Sequence, residues 1–562
     1  MASGKVLTID FSEDRLRKKA EGYFEDGEYI SALEYARKYL ALYGKEKDMY
    51  ALIADIYENM GLHSSAVNSW FQYLDCCEAE DLPEVYEGLA VNFLNLGNEA
   101  QSAFYYNRLI DEDDTLTVED KREIAETFRP DSKSPLKFVH PPELTDYSEQ
   151  LYSGGEALKS GRIEEAIKTL SKVEKGSKEY RSARETLAIA YLLNGNAEQA
   201  EKTCLEVIEE YGDSVQALST LSAIYSEQGK KGESREIAYR LYQTSGNNKE
   251  EIYKIATVCC ENDMHEEAFQ LFSKLEKDLP YDGNFLYFKS VAAYQSGRME
   301  TAVSTLERLC SIYPDAAVAS YYLKEIKRHL DDPTKTEKPL LTYFYRLPQK
   351  ERELRCRALI AVGNADKEES FIFAERLRKD GYFSWCFDEM DGMEQDLQYL
   401  GVVTAEYARQ DGFLREVLLD CEVKDALKVE MIRLLYLRNE YQALGIVVCN
   451  IYKELELLPV EIGEIKRKEF LEGYAKTASR FCLINETYAK KLCRQTQKLY
   501  DKIEELEAWE LCQNENDIAC ALYFLADMRD LGKNVEKVAL TFEANGENVL
   551  KLIEICKTKT KE

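Results

Sequence analysis

The chain has little proline and almost no histidine, with 11 prolines and 4 histidines among 562 residues. Because proline breaks helices while alanine, leucine, glutamate and lysine favour them, this composition predicts a mostly helical protein. The histidines form no His-Glu-x-x-His pair and lie apart from any spaced cysteine cluster. We therefore expect no metal site at His63, His140, His265 or His329.

The motifs of common enzyme chemistry are also missing. No Gly-x-Ser-x-Gly occurs to position a nucleophile, and no glycine-rich loop ending in Lys-Ser/Thr occurs to bind phosphate. The 15 cysteines include no Cys-x-x-Cys pair, and adjacent cysteines such as Cys76 and Cys77 cannot easily bridge within a helix. These absences predict reduced thiols, no cofactor and no enzymatic activity.

Positive charge is in deficit: 73 lysines and arginines stand against 103 aspartates and glutamates, a net charge of −30. A nucleic-acid platform or a surface for anionic lipid needs the opposite sign, so neither partner is expected. A basic protein or peptide would suit this charge, although an acidic surface also serves solubility alone. No apolar run of about 18 residues occurs, and residues 1–10 do not resemble a signal peptide, so we expect a cytoplasmic location.

A turn residue recurs at a fixed spacing through the first part of the chain. Successive turns are 34, 36, 64, 34, 34, 34 and 34 residues apart, and they fall at Gly27, Gly61, Gly97, Gly161, Gly195, Gly229, Asp263 and Gly297. A small residue lies five positions after each turn, and another lies seven positions before each turn. Small residues at both places let two antiparallel helices approach closely. The pattern resembles the tetratricopeptide repeat family, which has one helix-turn-helix unit per 34 residues.

The resemblance implies an all-α solenoid of about eight helix-turn-helix repeats over residues 13–330. We predict three repeats at 13–112, a proline-rich connector at 113–148, and five repeats with a capping helix at 149–330. A linker at 331–349 leads to a mainly helical C-terminal domain at 350–562, where the period is lost. Within that domain, residues 446–462 are rich in β-branched side chains and predict either a small β-hairpin or a buried helical segment.

In tetratricopeptide arrays the first helix of each unit lines a concave groove, so the resemblance implies a set of groove residues. In the first three units the set is acidic: Asp14, Glu21, Asp48, Asp55, Glu58, Glu84 and Glu87. In later units it is more neutral and partly aromatic: Ile189, Leu192, Tyr253, Tyr287, Phe288 and Tyr294. The acidic set suits a basic segment or is an ordinary solvated face. The aromatic set suits an anchored segment, or Tyr287 and Tyr294 pack on the capping helix.

These grooves predict a protein–protein interaction scaffold that binds peptide or protein segments. The alternative is an enzyme or ligand sensor in the C-terminal domain, regulated by the repeats. Some members of the family clamp the terminal carboxylate of a chaperone tail with Lys, Asn and Arg. Only Arg17 fits that pattern here, so a carboxylate clamp is disfavoured.

Overall fold

The computed structural model describes residues 12–113, 115–128, 147–334, 336–388 and 394–557. Residues 1–10, His140 and residues 129–146 of the predicted connector lie outside these ranges. The chain forms two compact units: unit 1 combines residues 1–130 with residues 348–562, and unit 2 comprises residues 131–347. Unit 1 therefore joins stretches of chain that are far apart in the sequence.

Three antiparallel helix pairs and one further helix begin unit 1. They are α1 (Glu13–Glu25), α2 (Tyr29–Tyr43), α3 (Lys47–Asn59), α4 (His63–Leu74), α5 (Leu82–Asn95), α6 (Glu99–Glu112) and α7 (Val118–Phe128). The turn glycine of the first pair, Gly27, has a φ of 74°, and the next amide, at Glu28, donates to the carbonyl of Tyr23 at 2.8 Å. This is the Schellman helix end, in which a residue with positive φ stops the first helix and turns the chain into the second. Ala20 and Ala32 are fully buried between the two helices, as their small size predicts.

Unit 2 repeats the same arrangement five times and ends with a single helix. Its helices are α8 (Ser148–Lys159), α9 (Ile163–Leu170), α10 (Tyr180–Leu193), α11 (Ala197–Tyr211), α12 (Val215–Glu227), α13 (Lys231–Gln243), α14 (Lys249–Glu261), α15 (His265–Leu275), α16 (Gly283–Gln295), α17 (Met299–Ile312) and α18 (Ala317–Asp331). At the fourth turn Asp263 replaces glycine and still adopts a positive φ of 54°. Helix α18 packs on α17 as the predicted capping helix.

The remainder of unit 1 is helical apart from one hairpin. Its elements are α19 (Gln349–Asn364), α20 (Lys367–Lys379), α21 (Tyr382–Asp388), α22 (Glu394–Tyr407), α23 (Asp411–Leu419), α24 (Asp425–Leu437), β1 (Gln442–Val448), β2 (Ile451–Leu457), α25 (Arg467–Phe481), α26 (Tyr488–Glu505), α27 (Glu515–Leu525), α28 (Val535–Thr541) and α29 (Gly546–Lys557). No helix among the described residues has both the length and the apolar character to cross a membrane. The predicted all-α solenoid with a helical C-terminal region and a small hairpin is confirmed.

The hairpin is antiparallel, with Val448 opposite Ile451. Its two-residue turn, Cys449 and Asn450, has φ values of 52° and 58°. Positive φ at both positions is the type I′ geometry that matches the twist of the flanking strands. The buried-helix alternative for this stretch is therefore wrong.

The hairpin packs on the second helices of the N-terminal repeats, and this contact holds unit 1 together. Val447 shares a hydrophobic cluster with Trp70 and Phe71 of α4 and with Tyr105 of α6. The Tyr105 hydroxyl donates to the carbonyl of Asn450 at 2.8 Å. Nearby, the Asn68 side chain donates to Asp420 and accepts from the Cys421 amide, both at 2.9 Å. The outer face of α4 and α6 is thus covered by the chain's own C-terminal region.

Candidate functional site

The first helices of the last units of unit 2 hold an extended stretch of the same chain. Residues 339–347, here called the return segment, follow α18 and contact α14, α16 and α18. Four of its carbonyls accept hydrogen bonds from groove side chains: Tyr294 to Pro339 at 2.6 Å, Gln295 to Leu341 at 2.5 Å, Tyr287 to Thr342 at 2.9 Å and Tyr322 to Arg346 at 3.0 Å. Tyr287, Tyr294 and Gln295 share one face of α16 because they lie seven and eight positions apart. The groove therefore binds the main chain of the return segment through side-chain donors.

Side chains of the return segment alternate between the groove and the outside. Leu341 and Leu347 are 0% and 1% exposed, whereas Leu340 and Phe344 are 75% and 73% exposed. Tyr343 and Tyr345, also directed at the groove, are half-buried. The main chain is not a regular strand, because the Leu341 amide donates to the Pro339 carbonyl at 3.2 Å and the Arg346 amide donates to the Phe344 carbonyl at 2.9 Å, which are γ-turns. The segment still presents every second side chain to the groove.

The groove side of the return segment makes aromatic contacts. The ring of Tyr345 packs edge-on against Tyr287 with centroids 4.7 Å apart, and Tyr343 packs edge-on against Phe288 at 6.2 Å. The Tyr343 hydroxyl lies 3.0 Å from Nδ1 of His265. Burial, followed by the nearby Cys260 thiol, raises the pKa of Tyr343 well above its ordinary value. These contacts keep Tyr343 neutral and hold its side chain in the groove.

The aromatic groove residues named from the sequence are distributed as follows. Tyr287 and Tyr294 are 1% and 2% exposed, and their hydroxyls bond the return segment. Phe288 packs beside them on Tyr343. Tyr253 lies one helix earlier and packs edge-on against Phe272, and burial raises its pKa to about 12. The structure therefore brings three of the four aromatics onto one bound segment.

Other predicted groove residues of unit 2 lie apart from the return segment. Ile189 and Leu192 are half-buried on α10. The sequence reasoning missed the roles of Gln295, Tyr322 and the return segment itself. The signal available was composition: Leu340-Leu341-Thr342-Tyr343-Phe344-Tyr345 is too apolar for a solvated linker.

The acidic groove residues of unit 1 differ in their neighbours: some lie beside other carboxylates, and one has a basic partner. Asp55 and Glu58 on α3 lie with Glu84 of α5, and burial, then these two charges, raises the pKa of Asp55 to about 6. Asp48, by contrast, forms an ion pair with Arg17 at 3.0 Å. Five residues of the acidic set are exposed: Asp14, Glu21, Asp48, Glu84 and Glu87. Asp55, Glu58 and Glu84 therefore form a site of uncompensated negative charge.

Two of these carboxylates are held in place by neutral donors. The Asn92 side chain donates to Glu58 at 2.9 Å, and the Tyr73 hydroxyl donates to Glu84 at 3.0 Å. Neutral donors orient the carboxylates without neutralising them. No group of three or more His, Cys, Asp or Glu side chains arranged to hold a metal ion occurs in the described part of the chain.

Stacked antiparallel helix pairs with an extended segment on their first helices define the protein as an α-solenoid. Within that class, tetratricopeptide repeat models match residues 157–231 and 286–316. The tetratricopeptide repeats that the 34-residue period predicts are thus confirmed in this part of the chain. Both matches lie within unit 2.

Several known proteins are similar to the chain in sequence or in structure. The TPR repeat-containing protein YvcD of Bacillus subtilis (strain 168) is 25% identical over 313 residues, which are 53% of this chain and 61% of that protein. The match thus spans about three-fifths of that relative's length. Among solved structures, yeast Tom70 is 14% identical over 96% of both chains with a TM-score of 0.26. Human IFIT1 is 13% identical over 70% of this chain and 91% of its own, also with a TM-score of 0.26. Scores this low carry no argument about arrangement or binding.

Proposed function

We propose that the chain is a protein–protein interaction scaffold whose grooves hold extended segments of polypeptide. The observation that supports this is the set of side-chain hydrogen bonds to the return segment. Main-chain carbonyls occur in every polypeptide, so donors aimed at them give affinity, while the spaces for alternate side chains give specificity. The repeats support the same function, because tetratricopeptide repeats commonly serve protein binding.

The acidic surface of unit 1 gives the partner a further chemical property. Burial, and then repulsion from Glu58 and Glu84, raises the pKa of Asp55 to about 6. A lysine or arginine of a partner placed among them would relieve that repulsion and steer the encounter. We therefore propose that the segment bound by unit 1 is basic.

Photo-crosslinking in the native cell tests both statements. A photoreactive residue replaces Glu87, which is exposed on the first helix α5, or Ile189, on the first helix α10. A matched control replaces Leu205, which is 46% exposed on the second helix α11. We expect protein adducts at Glu87 and Ile189 but not at Leu205. We also expect the double substitution Asp55→Asn with Glu58→Gln to remove the adduct at Glu87 while leaving that at Ile189.

The contrary outcomes are distinct. Equal adducts at first-helix and second-helix positions would show that contact is not confined to the grooves. An adduct at Glu87 that survives loss of both charges would leave a scaffold but refute the basic partner. No adduct at Glu87 or at Ile189 across several growth states would overturn the scaffold proposal.

A further inference from the structure

We propose that the return segment is an internal ligand that a partner displaces. The partner it fits is an extended polypeptide with apolar or aromatic side chains at every second position, in the pattern Leu-x-Tyr-x-Tyr-x-Leu. This inference rests on the proposed function and specifies both the partner and the regulation of the unit 2 groove. In the absence of a partner, the return segment would then occupy the unit 2 groove.

The first step of the argument is how the groove holds the segment. Tyr287, Tyr294, Gln295 and Tyr322 all donate to main-chain carbonyls. Hydrogen bonds to main-chain carbonyls do not depend on which side chains those residues carry. A second polypeptide in the same extended conformation would meet the same donors, so the hydrogen bonds lost by the return segment are regained by its replacement.

The second step is that the segment can leave without disrupting the repeats. The backbone of the return segment is hydrogen-bonded to itself: the Leu341 amide donates to the Pro339 carbonyl, and the Arg346 amide donates to the Phe344 carbonyl. The helices of unit 2 keep their own hydrogen bonds whether or not the segment is seated. Release therefore exposes a groove and does not unfold a sheet or a helix.

The third step concerns which side chains the groove selects. Leu341 and Leu347 are fully buried and Tyr343 and Tyr345 pack on groove aromatics, whereas Leu340 and Phe344 point away and are about three-quarters exposed. Selectivity thus applies to alternate positions only. A partner segment must match the four inward positions and is free to vary at those between them.

Tethering sets the size of the effect. A ligand joined to its site by a short length of chain acts at an effective concentration of about millimolar. A partner binds only the fraction of molecules with an open groove, so its apparent affinity falls by that fraction. If the segment is seated in about 99% of molecules, a variant that cannot seat it binds the partner roughly 100-fold more tightly.

The test uses the full chain and a fluorescein-labelled peptide with the sequence of residues 336–348. The release variant carries Leu341→Ser and Tyr345→Ser, which remove two inward side chains and leave the groove intact. A third protein adds Tyr287→Phe and Tyr294→Phe, which remove two groove donors. A control peptide carries serine at the positions of Leu341, Tyr343 and Tyr345. Fluorescence anisotropy gives each dissociation constant, and circular dichroism reports helix content.

We expect the release variant to bind the peptide at least tenfold more tightly than the wild type. Loss of the two groove donors should weaken that binding about tenfold, and the control peptide should not bind. Equal binding to wild type and release variant, or no binding to a release variant with wild-type helix content, would show that the segment is a fixed part of the fold.

Hydrogen exchange on the wild-type chain keeps the inference testable should the release variant misfold. Millimolar unlabelled peptide should speed amide exchange at residues 340–347, and unchanged exchange would contradict displacement. The outcome is separable from that of the proposed function. Adducts at Ile189 that form in the absence of any peptide binding would leave the scaffold standing and refute displacement alone.

Discussion

The carboxyl of Asp55 permits a quantitative test of the acidic surface. It is half-buried on α3, and burial, with Glu58 and Glu84, raises its pKa from 3.8 to about 6. An ionised Asp55 is therefore less favourable in the folded chain than in the unfolded chain. We expect Asp55→Asn, which keeps the shape and removes the charge, to stabilise unit 1.

The magnitude follows from the two pKa values. A difference of about two pKa units, at about 1.4 kcal/mol each, corresponds to about 3 kcal/mol at neutral pH, and solvent screening at this half-buried carboxyl reduces the expected cost of ionised Asp55 to about 1–2 kcal/mol. Because the folded-state pKa is the higher one, the folded chain binds the proton more tightly, and wild-type stability rises as pH falls from about 7 to about 4. The gain from Asp55→Asn should thus be largest above pH 6 and absent below about pH 4.

Urea unfolding followed by tryptophan fluorescence measures this gain in unit 1. All 3 tryptophans, Trp70, Trp385 and Trp509, belong to unit 1, so their emission reports that unit alone. Asp48→Asn is the matched control, because Asp48 already has Arg17 as a partner, and its loss should cost at most about 1 kcal/mol. A gain below about 0.5 kcal/mol at pH 7.5, or one that persists at pH 4, would refute the reasoning.

Three further substitutions probe the packing of unit 1 by the same assay. A methyl group at Gly88 would overlap the buried indole of Trp70, so Gly88→Ala should destabilise unit 1 by about 1–3 kcal/mol, whereas Gly22→Ala, with nothing within 4 Å, should stabilise it by up to about 1 kcal/mol. Equal effects would show that the Trp70 contact is not tight. Tyr105→Phe leaves the carbonyl of Asn450 without its donor and should cost about 1–2 kcal/mol; no measurable loss would mean that the hairpin does not depend on this bond.

The repeats were predictable because each depends on a local rule. A glycine such as Gly27 is needed where φ is positive, and alanines such as Ala20 and Ala32 are needed where two helices touch. Because both requirements recur every 34 residues, the turn residues and the small residues form a periodic pattern in the sequence. The hairpin was predictable for a similar reason, since β-branched residues flank a turn at Cys449 and Asn450.

Contacts between distant parts of the chain were not predictable. The sequence places Tyr287 and Tyr294 on a groove, but nothing periodic marks residues 339–347 as the segment that covers them. The pairing of Val447 with α4 and α6 is likewise a single long-range contact. For Asp55, the sequence identified an acidic face, whereas the raised pKa depends on the approach of Glu84 from another helix. Such properties require coordinates because they arise from the distance between side chains.

Unit 1 has a consequence for synthesis on the ribosome. The hairpin that covers α4 and α6 ends at Leu457, roughly 340 residues after α6 ends at Glu112. At about 5–20 residues per second, Tyr105 emerges roughly 20–70 seconds before the Asn450 carbonyl to which its hydroxyl donates. In that interval all of unit 2 is made and can fold. The N-terminal repeats therefore complete their contact with the hairpin only late in translation.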